Sequence, residues 1–188
     1  FAYGNNAILV SGGVADIYDN TFHDIGQFGI RQTAGFLRFG RNDFNNISVQ
    51  AVSLEGGTQQ NDGGNTGGGI VALSSMVIGG DMTIPDDGLT YVIAEITIAP
   101  QGSLMIKPGA IVKFRSNNPI IVKGKLTIGS LEQGAKKTVL TSSNDDTIGT
   151  VFDSRNPTAH GIYGDWGSIV VDGGTATIEN TEIRYGGY

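Results

Sequence analysis

The sequence predicts an all-β fold: a single-stranded, right-handed parallel β-helix, or solenoid, with about 22 residues per coil and three short strands per coil. Three observations predict it. Matching residue types recur at an offset of 22 positions, the apolar segments are short and β-branched, and glycine, proline and asparagine separate them. A register kept over several repeats is the signature of a solenoid. A β-sandwich, the competing interpretation, would show hairpin turns at irregular spacing.

Residues 1–74 form the first part of the predicted helix and carry the clearest repeat. Similar residues return every 22 positions: Ile8, Ile30 and Val52; Gly13, Gly35 and Gly57; Ile17 and Phe39; Asn20 and Asn42; Phe22 and Phe44; Ile25 and Ile47. Because the coils stack on one another, residues in such a register form ladders. We therefore expect the two asparagines to form a ladder at a turn, and the phenylalanine and isoleucine pairs to stack.

Residues 75–141 change the local sequence to coils rich in isoleucine and valine but keep the period. At an offset of 22, Ile98 aligns with Ile120, Gly102 with Gly124, Leu104 with Leu126, and Ile106 with Ile128. Alternation within these short segments points one set of side chains inward. Two local sequences with one period predict a single continuous β-helix over residues 1–188.

An acidic insert, residues 142–165, interrupts the repeat before a further coil over residues 166–188. The segment 139–141 corresponds loosely to 111–113, which lies 27 or 28 positions earlier, so extra chain has entered. The insert supplies oxygen ligands of the kind that calcium prefers: Asn144, Asp145, Asp146, Asp153 and Asp165. Their spacing is not that of an EF-hand. A solvated loop without metal is the favoured interpretation, and a calcium loop is the alternative.

Composition excludes several classes of partner. The net charge is −6 and the pI is about 4.7. Without a basic stripe, nucleic acid is not an expected partner. No apolar run approaches the roughly 18 residues of a membrane span, so we expect no membrane insertion. The chain has no cysteine, which excludes disulfide and thiol chemistry.

The sequence shows no convincing catalytic constellation, and we expect no enzyme activity. Asp16, Asp19 and Asp24 share one coil, but 22 positions later stand Arg38, Arg41 and Asn46, a pattern that predicts charge pairs between coils. The glycine-rich stretch 63–69 is interpreted as a flexible loop. His23 and His160 are isolated, and Trp166 is expected to pack at a corner rather than to stack on a sugar.

Several motifs after Thr83 are similar to a known repeat, among them Leu104-Met105-Ile106-Lys107-Pro108-Gly109-Ala110-Ile111-Val112-Lys113-Phe114, Asp165-Trp166-Gly167-Ser168-Ile169 and Thr177-Ile178-Glu179-Asn180-Thr181-Glu182-Ile183-Arg184-Tyr185-Gly186-Gly187. They resemble the parallel β-helix repeat segments of large secreted and surface-attached bacterial proteins. Residues 7–54 resemble the general repeats of the pectate-lyase-like superfamily. The resemblance implies the fold and an extracellular or cell-surface location in a bacterium. It says little about activity, because that superfamily includes lyases, hydrolases, epimerases, adhesins and phage tailspikes.

Both ends of the sequence fall within a coil, with Phe1 and Tyr188 at the end faces. Open strand edges recruit other chains, and Tyr188 joined to Phe1 continues as β-helix sequence. We expect one unit of a covalent tandem array, or a subunit that stacks end to end. A fragment cut at arbitrary points is the alternative.

A structural or adhesive rod, with the chain itself as partner and surface carbohydrate as a further candidate, is the leading functional hypothesis. The alternative is a carbohydrate-binding or carbohydrate-processing β-helix, similar to polysaccharide lyases and hydrolases. A periplasmic accessory protein of the copper-maturation type is disfavoured, because the chain has no cysteine, three methionines and two histidines.

Overall fold

A computed structural model describes residues 6–115, 119–151 and 159–187. This part of the chain contains strands and no helix, as predicted. The strands are β1 (Asn6–Tyr18), β2 (Thr21–Ile25), β3 (Phe28–Gly40), β4 (Asp43–Ile47), β5 (Gln50–Leu54), β6 (Thr58–Asn61), β7 (Ile70–Leu73), β8 (Met76–Ile78), β9 (Asp81–Ile84), β10 (Thr90–Ile93), β11 (Ile96–Ile98), β12 (Ser103–Ile106), β13 (Ile111–Phe114), β14 (Ile120–Val122), β15 (Lys125–Ile128), β16 (Thr138–Ser142), β17 (Ile169–Val171), β18 (Thr175–Ile178) and β19 (Thr181–Ile183).

In the described residues, no helix is long and apolar enough to cross a bilayer.

Strands stack between coils into four parallel sheets. Sheet 1 runs the length of the molecule in the order β1-β3-β5-β7-β10-β13-β16-β19, and β6 pairs with the second half of β3. Sheet 2 has the order β8-β11-β14-β17, sheet 3 has the order β9-β12-β15-β18, and β2 and β4 form sheet 4. The predicted parallel β-solenoid with about 22 residues per coil is therefore confirmed.

The 22-residue register holds through the first coils. Ile8 pairs with Ile30 and Ile30 with Val52, while Ile17 pairs with Phe39. Later steps in sheet 1 are of different length: Val71 follows Val52 after 19 residues, and Leu140 follows Val112 after 28. The strands keep their alignment because the corners between them absorb the insertions and deletions.

One predicted alignment is wrong by two residues. Ile98 pairs with Val122, and Ile120 pairs with Ile96. The corner before β14 has five residues, against two before β11, whereas the corner after β14 has two residues, against four after β11. These changes nearly cancel, so Leu104–Leu126 and Ile106–Ile128 regain the 22-residue step as predicted.

The cross-section of the solenoid changes at β8. In the first coils, β1 and β3 turn within a single 13-residue strand. At this turn Gly35 has φ +83°, and an added Cβ would lie 2.6 Å from the carbonyl oxygen of Gly13, so only glycine fits. From β7 onward a separate sheet 2 strand stands between the sheet 1 and sheet 3 strands, so the coil becomes triangular. The change occurs beside residue 75, where the local sequence also changes.

Two apolar clusters lie on opposite faces of sheet 1. The large one fills the solenoid and includes Ile30, Val112, Phe114 and Leu140, each with no exposed surface. The small one consists of Ile70, Ala72 and Val92. It lies on the outer face of sheet 1, where residues 149–150 of the acidic insert also make contact.

Candidate functional site

A ladder of polar side chains runs through four coils at one corner. Asn42 Oδ1 accepts hydrogen bonds from the backbone amide and the Nδ2 of Asn20, at 3.1 and 3.2 Å. The amide of Asn42 in turn donates to Asn65 Oδ1 at 3.1 Å, and Asn65 Nδ2 donates to Asp87 Oδ2 at 2.8 Å. The sequence predicted only the Asn20–Asn42 step. We name the four residues the asparagine ladder, although its last member is an aspartate.

Asp87 is the chemically unusual member of the ladder. Its carboxylate also accepts from the hydroxyl of Tyr91 at 3.2 Å and from the amide of Leu89 at 3.4 Å. Burial nevertheless raises the pKa of Asp87, and hydrogen bonds from Asn65 and its other donors offset only part of the rise. The same burial and the neighbouring carboxylate raise the pKa of Tyr91 well above its usual value.

Apolar stacking accompanies the ladder. The Phe22 and Phe44 rings are 4.9 Å apart between centroids and 14° from parallel, and Ile25 pairs with Ile47 in the same sheet. The glycine-rich stretch 63–69, predicted as a flexible loop, forms the next rung. Its Asn65 is 1% exposed, and the amide of Phe44 donates to the Thr66 carbonyl oxygen at 3.0 Å. The stretch is a loop between β6 and β7, and its residues Asn65 and Thr66 continue the stacking of sheet 4.

The acidic residues of the first coil are paired across coils, as the offset of 22 predicted. Arg38 donates to Asp16 at 2.5 Å, Arg41 donates to Asp19 at 2.8 Å, and Asn46 donates to Asp24 at 2.7 Å. The hydrogen bond from Arg41 lowers the pKa of Asp19. Solvent screens exposed pairs of this kind and leaves them little net stabilisation, so they align the coils more than they stabilise them.

Two carboxylates of the acidic insert hold it to sheet 1. Lys113 points outward from β13 yet has no exposed side-chain surface. Its Nζ donates to the Thr150 carbonyl oxygen at 2.8 Å and lies 3.4 Å from Asp146 Oδ1. Burial lowers the pKa of Lys113, and the charge of Asp146 acts in the opposite direction. Asp145 is also buried, and it accepts from Thr141 at 2.7 Å and from Arg184 at 3.3 Å.

Asn144 and Asp165, two further proposed metal ligands, are also engaged by the chain. Asp165 Oδ2 accepts from Ser142 Oγ at 2.8 Å, from Asn144 Nδ2 at 3.2 Å and from the amide of Ile162 at 3.1 Å. Asp153 lies outside the described residues. Within those residues no group of three or more His, Asp or Glu side chains is arranged to hold a metal. The calcium loop stays a prediction.

Trp166 is a core residue at the end of the insert. Its ring stacks on Phe114 at a centroid distance of 4.2 Å, and its Nε1 donates to the carbonyl oxygen of Arg184 at 2.7 Å. With 3% exposure it offers no face to a sugar, which agrees with the predicted corner position. His23 contacts Asp24 at 3.1 Å on the exposed first coil.

The side chains that face the interior of the solenoid become exposed to solvent in the last coil, which is formed by β17, β18 and β19. Val122, Ile128 and Leu140 have no exposed surface. Their partners one coil later, Val171, Ile178 and Ile183, are 51%, 41% and 52% exposed. At the first coil, by contrast, Val10, Ile17 and Phe22 are only 5–7% exposed. The two proposed assembly residues, Phe1 and Tyr188, lie outside the described residues.

Two clefts open where β6 approaches β9 of sheet 3 without pairing to it. One, the polar cleft, has a volume of about 410 Å³ and is lined by Phe36, Gln60, Asp62, Asp81, Thr83 and Lys107, among others. A hydrogen bond from Tyr18, at 2.7 Å, lowers the pKa of Asp62. The other, the β8 cleft, has a volume of about 380 Å³ and lies between residues 57–59 and residues 77–82.

The sequence did not indicate either cleft or the buried Lys113. One signal was present: Lys113 interrupts an apolar strand, Ile111–Phe114, at an outward position. A lysine there indicates either that the strand faces solvent or that the lysine has a buried partner, and the sequence alone does not distinguish these two possibilities. Comparison with known protein families, with curated proteins and with solved structures finds no match to this chain.

Proposed function

We propose that the chain is a segment of a structural or adhesive β-solenoid rod on the outside of a bacterial cell, and that a further coil, from a second copy of the chain or from a covalent repeat of it, stacks on β17, β18 and β19. The observation that carries the proposal is the exposure of Val171, Ile178 and Ile183, whose counterparts one coil earlier have no exposed surface. Covering an exposed aliphatic side chain contributes up to about 1.5–3 kcal/mol. The extracellular location rests on the resemblance of the motifs alone.

The parallel strands of sheet 1 determine the relative orientation of two stacked copies. β1 and β19 are its terminal strands, and all its strand pairs are parallel. A copy translated along the rod axis therefore brings its β1 to the open edge of β19 in parallel orientation. Such head-to-tail contacts do not close on themselves and give filaments. Each added coil extends the rod by about 4.8 Å, the spacing between strands.

The test is the effect of charge on the C-terminal coil. The Ile178→Lys, Ile183→Lys double variant should abolish concentration-dependent association, measured by sedimentation velocity and by electron microscopy of filaments. Val170→Lys is the matched control, because Val170 is 41% exposed but lies next to Val171 on the outward side of β17. Association that survives in the double variant, or a wild-type chain that stays monomeric at high concentration, contradicts the stacking of separate copies.

A second candidate function is carbohydrate binding, and the polar cleft favours it. Its wall combines the half-exposed ring of Phe36 with the amide of Gln60 and the carboxylates of Asp62 and Asp81. Carboxylates and amides bond to sugar hydroxyls, and an aromatic ring packs on the apolar face of a sugar. The mixed lining suits a short, hydroxyl-rich oligosaccharide better than an apolar ligand.

Calorimetric titration with neutral and acidic oligosaccharides tests this second function. Phe36→Ala and Asp62→Asn should each weaken binding at least tenfold, and Met105→Ala, an exposed residue of β12 outside the lining, should leave it unchanged. Binding that is insensitive to Phe36→Ala and Asp62→Asn would place the sugar elsewhere. Neither substitution tests the rod, because the polar cleft lies on the side of the solenoid.

A further inference from the structure

We propose that the β8 cleft receives an extended segment of another protein, which adds to sheet 2 as a strand beside β8. The site is independent of the end-to-end association, because it lies on the side of the molecule where the cross-section changes. The coil before β8 turns from sheet 1 to β6 through Gly56 and Gly57 and contributes no strand to sheet 2. The cleft of about 380 Å³ occupies that position.

β8 presents an open edge to this cleft. It pairs with β11 on one side and with no other strand of the described chain. The amide of Met76 donates to the Glu95 carbonyl oxygen, and the carbonyl oxygen of Ile78 accepts from Ala99, at 3.2 and 2.9 Å. Bonding alternates from residue to residue along a parallel ladder, so the amide and the carbonyl of Val77 point away from β11. An extended backbone supplies the matching donor and acceptor.

The glycines at the next corner provide independent support. Gly80, Gly102, Gly124 and Gly174 each connect a sheet 2 strand to a sheet 3 strand. A Cβ added to any of the last three would collide with a carbonyl oxygen of the preceding coil: that of Ile78, of Ala99 or of Gly124. A Cβ added to Gly80 would meet nothing within 4 Å, and Gly80 has no positive φ that would require glycine. Nothing in the described residues requires glycine at position 80, whereas a strand in the cleft would.

The occupant would pair with β8 in the same way that each sheet 2 strand pairs with the strand of the next coil, so those strands define its sequence. Met76-Val77-Ile78-Gly79 lies one coil before β11 and pairs with it, and Ile96-Thr97-Ile98-Ala99 lies one coil before β14 and pairs with it. Both follow the order apolar, β-branched, apolar, small. The β-branched residue points outward, where Val77 is 66% exposed. The occupant is therefore an extended segment of this pattern.

A capped synthetic peptide with the sequence of residues 94–101, Ala-Glu-Ile-Thr-Ile-Ala-Pro-Gln, is the probe. Fluorescence anisotropy of the labelled peptide should show saturable binding to the wild-type protein. N-methylation of the second isoleucine removes the amide that would donate to the Val77 carbonyl, and should weaken binding at least tenfold. Gly80→Ala should do the same without lowering the melting temperature, because its methyl group projects into the open cleft.

Gly12→Ala is the matched control, because Gly12 also has open space around its Cβ position and lies outside the cleft. It should leave both binding and melting temperature unchanged. Gly102→Ala should lower the melting temperature, because the added methyl group would collide with the carbonyl oxygen of Ile78 in the preceding coil. This variant verifies that the same substitution destabilises the protein where a neighbouring coil is present. Absence of saturable binding, or equal affinity for the N-methylated peptide or the Gly80→Ala protein, overturns the proposal. If the peptide dissociates associated copies of the chain, a second copy occupies the cleft. That result would also overturn the proposal.

Discussion

Asn65 Nδ2 donates to Asp87 Oδ2 at 2.8 Å, so a ladder of asparagines ends on a buried carboxylate. The raised pKa of Asp87 means that the folded protein holds this proton more tightly than the unfolded chain does. The resulting contribution to stability is complete below the ordinary pKa of 3.8 and is lost as the pH rises through the raised pKa. At neutral pH, where Asp87 is ionised, its side chain therefore contributes least to the free energy of unfolding.

Asp87→Asn should remove this dependence. The free energy of unfolding of the wild type minus that of the variant should fall as the pH rises above about 4, as measured by urea denaturation at several pH values. Asp19→Asn is a control of opposite sign, because its pKa is lowered by Arg41 and its contribution is lost as the pH falls. A difference between wild type and Asp87→Asn that does not change with pH would contradict the assignment.

Phe44→Ala should destabilise the protein by roughly 3–5 kcal/mol, the usual cost of truncating a buried phenylalanine. The ring is 1% exposed and stacks on Phe22. Phe36→Ala, at a half-exposed position in sheet 1, is the matched control and should cost far less. Urea denaturation followed by circular dichroism measures both, and similar losses would mean that the inward face has been assigned wrongly.

Lys113→Met should loosen the acidic insert, because it leaves Asp146 buried without its lysine. Removing one partner of a buried ion pair costs roughly 3–5 kcal/mol. Adding Asp146→Leu should restore part of the loss, so a double-mutant cycle measures the coupling. The emission of Trp166, the only tryptophan, reports on the end of the insert and should shift to longer wavelength as the insert detaches. An unchanged free energy of unfolding in Lys113→Met would show that the pair does not hold the insert.

Chelation should leave the melting temperature unchanged, because Asp145, Asp146 and Asp165 are already engaged by Thr141, Lys113 and Ser142. Differential scanning calorimetry with calcium and with a chelator is the measurement. A melting temperature that falls on chelation in the wild type, but not in Asp145→Ala with Asp146→Ala, would establish the calcium loop instead.

The fold could be predicted because stacking imposes one physical requirement on every coil. Ile8, Ile30 and Val52 occupy the same inward position, so each must be apolar, and the repeat is visible without coordinates. The Ile98–Ile120 alignment failed for a related reason. Corners tolerate insertions, and a longer corner before β14 moved the register while leaving the inward pattern of Ile96 and Ile120 intact.

The candidate sites could not be predicted to the same extent, because they depend on what lies against the repeat. The segment 144–146 has the composition of a solvated loop. Nothing in its local sequence indicates that Asp146 contacts Lys113 on the outer face of sheet 1. The β8 cleft arises from the absence of a strand, and a missing strand leaves no residue pattern of its own. Gly80, which no neighbour in the described residues requires to be glycine, is a trace of it in the sequence.

The exposed pairs between the first two coils also distinguish one coil from the next. The first coil supplies acceptors, Asp16, Asp19 and Asp24, and the second supplies the donors Arg38, Arg41 and Asn46. If the first coil stacked on a copy of itself, each aspartate would face another at the strand spacing of about 4.8 Å, and like charges opposite one another are destabilising. Repeats that share a shape are thus kept from exchanging places or slipping by a full turn as the chain folds.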